Sequence, residues 1–448
     1  MAKLSIIITS YNIENYILDC LKDIADQSLE DFEAIVVDDG STDRSAEIAD
    51  EFCRRDDRFS LIRLQDNTPG GVGTAANVGL KEATGEYIGF ADGDDRYSCD
   101  MFERLVSCAD EHQTDITLCN YYVLDSETGL LDVPADDHRW PSVKQNCPIV
   151  LDAASRRKLL NFIAVPWRKL YRRSLIEEYG LRFPEVDHFF EDNPFHWDVV
   201  LSARSVTYVD EKLCKHRVKR SGQTMSSSPE KLFDVIRNYD LIRGVLVKHR
   251  ATETYSLDLL EWLFAQSSWI SRRCRPYYAD GLMTLLKRYY QRHTRSEMRQ
   301  LLVQHSRQGA ATFIAAGAFL GKSSVVRASY KRYSDRGLKS KFRVASLRGG
   351  TIEVARLGFV QWLEGVRSAL NWVFEGVFLR RTSRRVRDIE RKAKEIGDKF
   401  EVTTAVLLLI DERLQRLEGQ AGIEDDRPEE RSAAGGKSVL NNPPKRAC

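Results

Sequence analysis

Chemistry is first legible in this sequence where an apolar run ends in three carboxylates. Gly89-Phe90-Ala91-Asp92-Gly93-Asp94-Asp95 places an aspartate on each side of a small residue, with a third directly after. Hard oxygen ligands of this kind suit Mg²⁺ or Mn²⁺, and such a cation would neutralise a diphosphate bridged to Asp92, Asp94 and Asp95. Alone, the pattern recurs by chance, and a solvated acidic turn or a stray calcium loop is the plainer reading. A second strand-to-acid transition, Val36-Val37-Asp38-Asp39-Gly40-Ser41-Thr42-Asp43, alters the weighing. A carboxylate at Asp39 can accept hydrogen bonds from a base N–H or from ribose hydroxyls, as acidic residues do at strand ends in dinucleotide folds. Ser41 or Thr42 is expected as a helix N-cap, with Gly40 serving the turn. A further acidic pair, Glu191-Asp192, opens a helical stretch, where the plain reading is an acidic helix N-terminus favoured by the dipole.

These residues need a scaffold, and the first 125 residues supply an alternating one. Leu4–Thr9, Phe32–Val37, Phe59–Leu64 and Tyr87–Ala91 are short apolar runs rich in β-branched residues, as buried parallel strands are. Helical spacing falls between them, at residues 14–26, 42–54 and 74–83. Interleaved strands and helices predict a mostly parallel twisted sheet with right-handed crossovers, in which ligands bind beyond the carboxyl ends of the strands. Loops 9–12, 38–43 and 92–95 lie at those ends. The turn around Gly70-Gly71-Val72-Gly73 lacks the Lys-Ser/Thr ending of a phosphate loop and is expected to be a flexible turn beside the pocket. Residues 126–148 read as a loop or insertion, and 153–179 as helical, including Trp167-Arg168-Lys169-Leu170-Tyr171. A strand-like 206–209 and a basic loop, His216–Ser221, close the first unit near 228.

Beyond residue 229 the sequence reads as helix throughout. A helical domain is expected over 229–380, a coiled-coil-like helix over 381–418 and a disordered tail over 419–448. The heptad seam from Val386 to Leu417 favours a homo-oligomer through the C-terminal helices. Leu357–Leu379 reaches spanning length, but Glu364, Arg367 and Glu375 interrupt it, and charges at a helix centre are costly in lipid. Its tryptophans and following arginines suit a peripheral membrane contact, and packing within its own domain is the plainer alternative.

Composition narrows the class. Lys plus Arg number 67 and Asp plus Glu 66, a net charge of +1. That balance lacks the footprint of a nucleic-acid binder. Nine cysteines at irregular spacings, with no CxxC pair, speak against a zinc site or a disulfide framework and fit a cytoplasmic protein. The apolar run after Met1 is too short for a signal-peptide core and is read as the first strand.

With these motifs assembled, the chain resembles glycosyltransferase family 2, the inverting enzymes of GT-A fold. The matching residues are Ser5-Ile6-Ile7-Ile8-Thr9-Ser10-Tyr11-Asn12, Val37 to Asp43, Asn77 with Gly79, Gly85-Glu86-Tyr87-Ile88 and Asp92 to Asp95. The match continues more loosely through 167–171, 190–195 and the loop near Arg217. The resemblance implies a catalytic domain over 1–228 and a hexosyltransferase acting on a nucleotide-diphosphate-sugar, a UDP-sugar foremost. It implies transfer to a saccharide or lipid-linked saccharide hydroxyl, by a metal-assisted inverting displacement in polysaccharide or glycan biosynthesis. Thr9, Tyr11, Asp39, Asn77 and Asp92 would bind the donor. Asp92 and Asp94, with Asp95 nearby, would hold Mn²⁺ or Mg²⁺, and Asp192 would be the general base. Glu191 is the alternative base, because adjacent side chains point differently.

Two departures stand out. Ala76 occupies a position where the family often has Arg, and His216 replaces a common aromatic. His216 and Arg217 are candidates for the diphosphate, where a fork of N–H donors is useful, and Arg168 and Lys169 carry the same question. Trp167 reads as core. The competing classes are a nucleotidyltransferase, which should show a Gly-rich basic loop after the first strand, and a non-catalytic assembly protein. Thr9-Ser10-Tyr11-Asn12 argues against the former, and the retained acids against the latter.

Overall fold

A computed structural model of the chain describes residues 2–69, 71–220, 222–223, 229–273, 279–305 and 309–319. Leu357–Leu379, the seam from Val386 to Leu417 and the tail lie outside the described residues.

Seven consecutive buried residues make β1 (Leu4–Ser10) the centre of the sheet. It pairs in parallel with β2 (Phe32–Asp38) on one side and β4 (Tyr87–Asp92) on the other. β3 (Phe59–Arg63) extends the parallel half beyond β2. The strand period of two sends Ile6 and Ile8 to one face and Ile7 to the other, and each face gathers its own core. On the first face lie α1 (Ile17–Ala25), α2 (Ser45–Cys53) and α4 (Met101–His112), with Ile17, Cys20, Leu21 and Ile24 of α1 at helical spacing buried. On the second lies α3 (Gly73–Glu82), through Ala75, Ala76 and Leu80.

The sheet is mixed rather than mostly parallel. Its order is β3-β2-β1-β4-β9-β6-β10-β5, with β5 at Arg96–Tyr97, β6 at Ile116–Asp125, β9 at Lys169–Arg172 and β10 at Ser205–Val218. Two short strands, β7 (Leu131–Asp132) and β8 (Ile149–Val150), pair off this path with β6 and β10. β9 is the main correction to the sequence reading, which made 153–179 helical. Only α5 (Ala153–Leu160) and α6 (Arg173–Glu178) are helices there, and β9 runs antiparallel between β4 and β6. Alternation explains it: Leu170 enters one core and Tyr171 the other. Two cations before them hide that period from a hydrophobicity pattern. A second correction concerns His216 and Arg217, which sit on β10 and not in a loop. β10 follows β6 through register shifts between Val209 and Cys214, and β5 pairs against Cys214 and Lys215. Its far end is thereby carried alongside Asp94 and Asp95.

The second core does not stop at the sheet. It runs through α7 (Asp192–Ser202) into α9 (Asp234–Lys248), α10 (Thr252–Arg273), α11 (Ala279–Tyr290), α12 (Arg295–Gln304) and α13 (Gly309–Phe319), α8 being the short turn Pro229–Leu232. No described helix is long and apolar enough to cross a membrane.

Residues 126–148 are anchored. Trp140 packs edge-on to Phe162 and Tyr208, and Asp136 meets Arg168 at 2.6 Å with both side chains almost fully buried, 1% and 0% exposed. Asp136 also accepts from the Ile163 backbone N–H at 2.9 Å. Removing one partner of such a pair strands the other charge in low dielectric, whereas replacing both by apolar residues is close to neutral. Asp136→Leu is therefore expected to destabilise the fold by about 3–5 kcal/mol. The double variant Asp136→Leu/Arg168→Met should recover most of that loss in urea unfolding.

Candidate active site

The loops after β1 and β2 are stitched to one another before anything binds. Asn12, at φ 50°, accepts from the Thr42 backbone N–H at 2.8 Å, and its own N–H donates to Ser41 Oγ at 3.0 Å. Asp38 takes the Ser41 backbone N–H at 3.0 Å and the Ser41 hydroxyl at 2.6 Å. Neither Ser41 nor Thr42 caps α2: that helix starts at Ser45, and Asp43 accepts the Ser45 N–H at 2.9 Å. Gly40 has φ 69°, and a Cβ there would collide with the backbone of Asp66 and Asn67. Asp39 faces that same segment, accepting from Asn67 Nδ2 at 2.9 Å and from the Thr68 N–H and hydroxyl at 3.1 Å each. Burial nonetheless raises its pKa. Thr9 is nearly buried, while Tyr11 is 42% exposed at the mouth of the loops.

The three aspartates after β4 have three different surroundings. Asp95 accepts from the Arg217 backbone N–H at 2.7 Å and bonds His216 Nδ1 at 3.0 Å. Burial works to lower the His216 pKa, but Asp95, Asp92 and Asp94 outweigh it and raise it to about 9. The charged ring stacks on Trp167 at 5.2 Å, so Trp167 is core and supports the site from behind. Asp94 is paired with Arg220, and its carbonyl accepts from Arg217 Nε at 2.7 Å. Both guanidinium groups lie over the Tyr16 ring. Asp92 has its backbone clamped by the Tyr97 hydroxyl, yet its carboxylate accepts no hydrogen bond among the described residues. Burial first, then Asp95 and Asp94, push its pKa well up. A side chain in that condition is one that a bound cation would relieve. Among the described residues, however, no three His, Cys, Asp or Glu side chains converge into a metal-holding group. Asp95 is the one drawn away, towards β10.

Glu191 and Asp192 also part company. The Glu191 side chain lies against the start of α3, where the helix leaves donors unsatisfied and the backbone N–H groups of Gly73 and Val72 favour its charged form. Added Cβ atoms at Gly71 or Gly73 would run into the Glu191 side chain. Gly71 and Gly73 of the glycine turn are thus packed against an acid. Burial, then the neighbouring Asp192 charge, raises the Glu191 pKa to about 7. Asp192 opens α7. Burial raises its pKa as well, and Lys169 holds it back. It accepts from Asn193 Nδ2 at 2.8 Å.

Several sequence candidates serve as supports. The Asn77 amide bonds Phe183 in both directions, at 2.8 and 2.9 Å, and Glu185 at 3.1 Å, fixing the loop before Glu191. Ala76 is buried in the core of α3. Arg168 and Lys169 do not reach out towards a ligand. Arg168 holds Asp136, and Lys169 Nζ donates to the Ala164 carbonyl at 2.9 Å and lies 3.3 Å from His196 Nδ1. Arg220, on the acids themselves, was not singled out by the sequence; it stood in the basic stretch with nothing local to separate it from Lys219.

A family model described as "Glycosyl transferase family 2" matches residues 5–180. The putative glycosyltransferase EpsH of Bacillus subtilis (strain 168) is 33% identical over 269 residues, 59% of this chain and 75% of that protein. The uncharacterized glycosyltransferase EpsJ of the same organism is 38% identical over 213 residues, 48% of this chain, and the chain spans only 60% of its length. The poly(ribitol-phosphate) beta-N-acetylglucosaminyltransferase TarS of Staphylococcus aureus (strain Mu50) is 31% identical over 242 residues, 53% of this chain and 40% of that protein. The crystal structure of S. aureus TarS 1–349 in complex with UDP-GlcNAc superposes with TM-score 0.56 at 22% identity, over 74% of this chain and 92% of that one, a likeness of fold.

The raised Glu191 pKa has a consequence for stability. Unfolded, this carboxyl ionises near 4.5; folded, it does so near 7. Its favourable contribution is complete below the unfolded value and is lost as pH rises through the folded one. Glu191→Gln cannot ionise, so its stability relative to wild type should rise between pH 4.5 and 8 by about 3 kcal/mol, from 1.36 kcal/mol per pKa unit. Urea unfolding of both proteins at the two pH values measures the difference.

Proposed function

The chain belongs to glycosyltransferase family 2, and from that membership we propose that it moves a sugar from a UDP-sugar to a saccharide or lipid-linked saccharide hydroxyl, inverting the anomeric carbon in one displacement. The observation that carries the proposal is the division of labour in the acidic pair. Glu191 is turned onto the start of α3, which leaves Asp192 as the general base. Its raised pKa, with Lys169 tempering the rise, suits a group that must take a proton from a hydroxyl as that oxygen attacks. Its charge contributes to the raised pKa of Asp92, which supports a base acting in the same electrostatic environment as the donor acids.

On the donor side, Thr9, Tyr11 and Asp39 line the nucleotide. Asp39 keeps acceptor capacity beyond its bonds to Asn67 and Thr68, since a carboxylate offers about four lone-pair sites. Asp92 and Asp94 would hold Mn²⁺ or Mg²⁺, which when bound neutralises the diphosphate as it leaves. His216 and Arg217, joined by Arg220, present N–H donors to the same diphosphate. Asp95 keeps these cations in place by gripping the end of β10. The name of the poly(ribitol-phosphate) beta-N-acetylglucosaminyltransferase TarS supports a role in polysaccharide or glycan biosynthesis. The UDP-GlcNAc bound in the TarS structure supports UDP as the nucleotide.

Nucleotide-sugars screened by thermal shift with Mn²⁺ and Mg²⁺ identify the donor. With that donor, Asp192→Asn should lower turnover by roughly 10²–10⁴-fold, the usual contribution of a positioned base, while donor affinity stays near wild type. Asp94→Ala should weaken donor binding as well. Retention of anomeric configuration in the product, or near-wild-type transfer by both variants, would overturn the mechanism.

A further inference from the structure

The candidate base does not stand on its own helix alone. Asp192 Oδ1 accepts from Asn193 Nδ2 at 2.8 Å. The other end of the same amide, Asn193 Oδ1, accepts from Trp262 Nε1 at 2.9 Å. Trp262 lies in α10, 69 residues further along the chain. An indole N–H can only donate. It therefore demands the amide oxygen on its own side and leaves the Nδ2 donors facing Asp192. The second Nδ2 hydrogen is also placed, on the Phe190 carbonyl at 3.2 Å.

The segment that carries these residues is held from the same direction. Phe190 has φ 71°, a left-handed conformation unfavourable for an aromatic residue, which persists only where its surroundings impose it. Asn238 of α9, fully buried, donates to the carbonyls of Phe189 at 3.0 Å and Phe190 at 3.1 Å. Trp269, two turns beyond Trp262, meets the Phe190 ring edge-on at 5.9 Å. Helices that follow the sheet domain in sequence thus grip Phe189 and Phe190, just before the acidic pair, and Asn193, just after it.

We propose that Trp262 is a positioning residue for the transfer reaction. Through the Asn193 amide it fixes the rotamer of Asp192, so that the carboxylate points at the acceptor hydroxyl. The proposal rests on Asp192 being the base. Its signature is in turnover and not in donor binding, because the chain Trp262–Asn193–Asp192 touches no group that lines the nucleotide. A hydrogen-bonded partner behind a functional side chain sets its direction, and its loss lets that side chain sample unproductive rotamers.

The test is Trp262→Phe in the full chain, which keeps most of the ring and removes the donor, with Asn193→Ala as a second break in the same link that leaves α10 untouched. Turnover is followed as UDP release from UDP-GlcNAc or UDP-glucose, and UDP affinity by calorimetry. Each variant should lose between about 10- and 100-fold in kcat, the range for outer partners of functional side chains. Donor KM, UDP affinity and melting temperature should stay near wild type. The double variant should be no slower than Asn193→Ala alone, since both changes cut one chain. Wild-type kcat in Trp262→Phe, additive losses in the double variant, or a fall in UDP affinity and melting temperature parallel to kcat would overturn the proposal. Asp192→Asn run alongside separates the two readings. If it retains turnover, the base assignment itself fails; if it is inactive while Trp262→Phe is unimpaired, only the link to α10 fails.

Discussion

Too many carboxylates converge at one end of this sheet for all of them to stay charged unaided, and the local structure follows from how each is matched. Burial raises the pKa of each acid, and hydrogen bonds or a cation limit the rise. Asp38 is matched by Ser41, Asp39 by Asn67 and Thr68, Asp95 by His216 and the Arg217 N–H, Asp94 by Arg220, and Glu191 by the start of α3. Each match also ties two distant pieces of chain together, so satisfying the charges and shaping the pocket are one process. Asp92 is the member left without a protein donor among the described residues. A site that neutralised all of its acids internally would have nothing to offer a cation or a donor. One that neutralised none could not fold around them.

The sheet makes this crowding possible. β4 delivers Asp92 to Asp95, and β9, inserted antiparallel beside it, brings Trp167 and Lys169 in from behind. One strand further on but one, β10 runs parallel to β6 and returns His216 and Arg217 to the same end. The cations therefore come from the half of the sheet that the acids do not use. From that half His216 reaches Asp95 and Arg220 reaches Asp94.

Much of the parallel half was legible because its signals are local. An apolar run of six or seven residues, an acid at its end and a helical stripe beyond it all fall within one window, and β1, β2, β3 and β4 appear close to where the sequence puts them. The same locality explains what was missed. β9 is four residues long and opens on a lysine, so its two-sided burial shows only when β4 and β6 lie on either side of it. The attachment of Asp95 to β10 spans more than a hundred residues. The different duties of Glu191 and Asp192 depend on α3, which no spacing between two adjacent acids can reveal. Arg220 and Trp262 carried no motif; what distinguishes them is their contact with Asp94 and Asn193.

The helices after residue 229 bear on how such an enzyme divides its chain. Their apolar residues continue the second core without a break, from Ile7 and Phe90 through Phe195 to Ile236, Leu260 and Ala318. A shared core of this kind couples the two regions in stability, because neither can bury its face alone. Polar contacts from α9 and α10 reach Phe189, Phe190 and Asn193, around the acidic pair, and also Tyr179, Asp198 and Arg157, while the loops of β1 and β2 are held by contacts within the sheet half itself. Changes in these helices should therefore be felt at Glu191 and Asp192 before they are felt in the loops after β1 and β2.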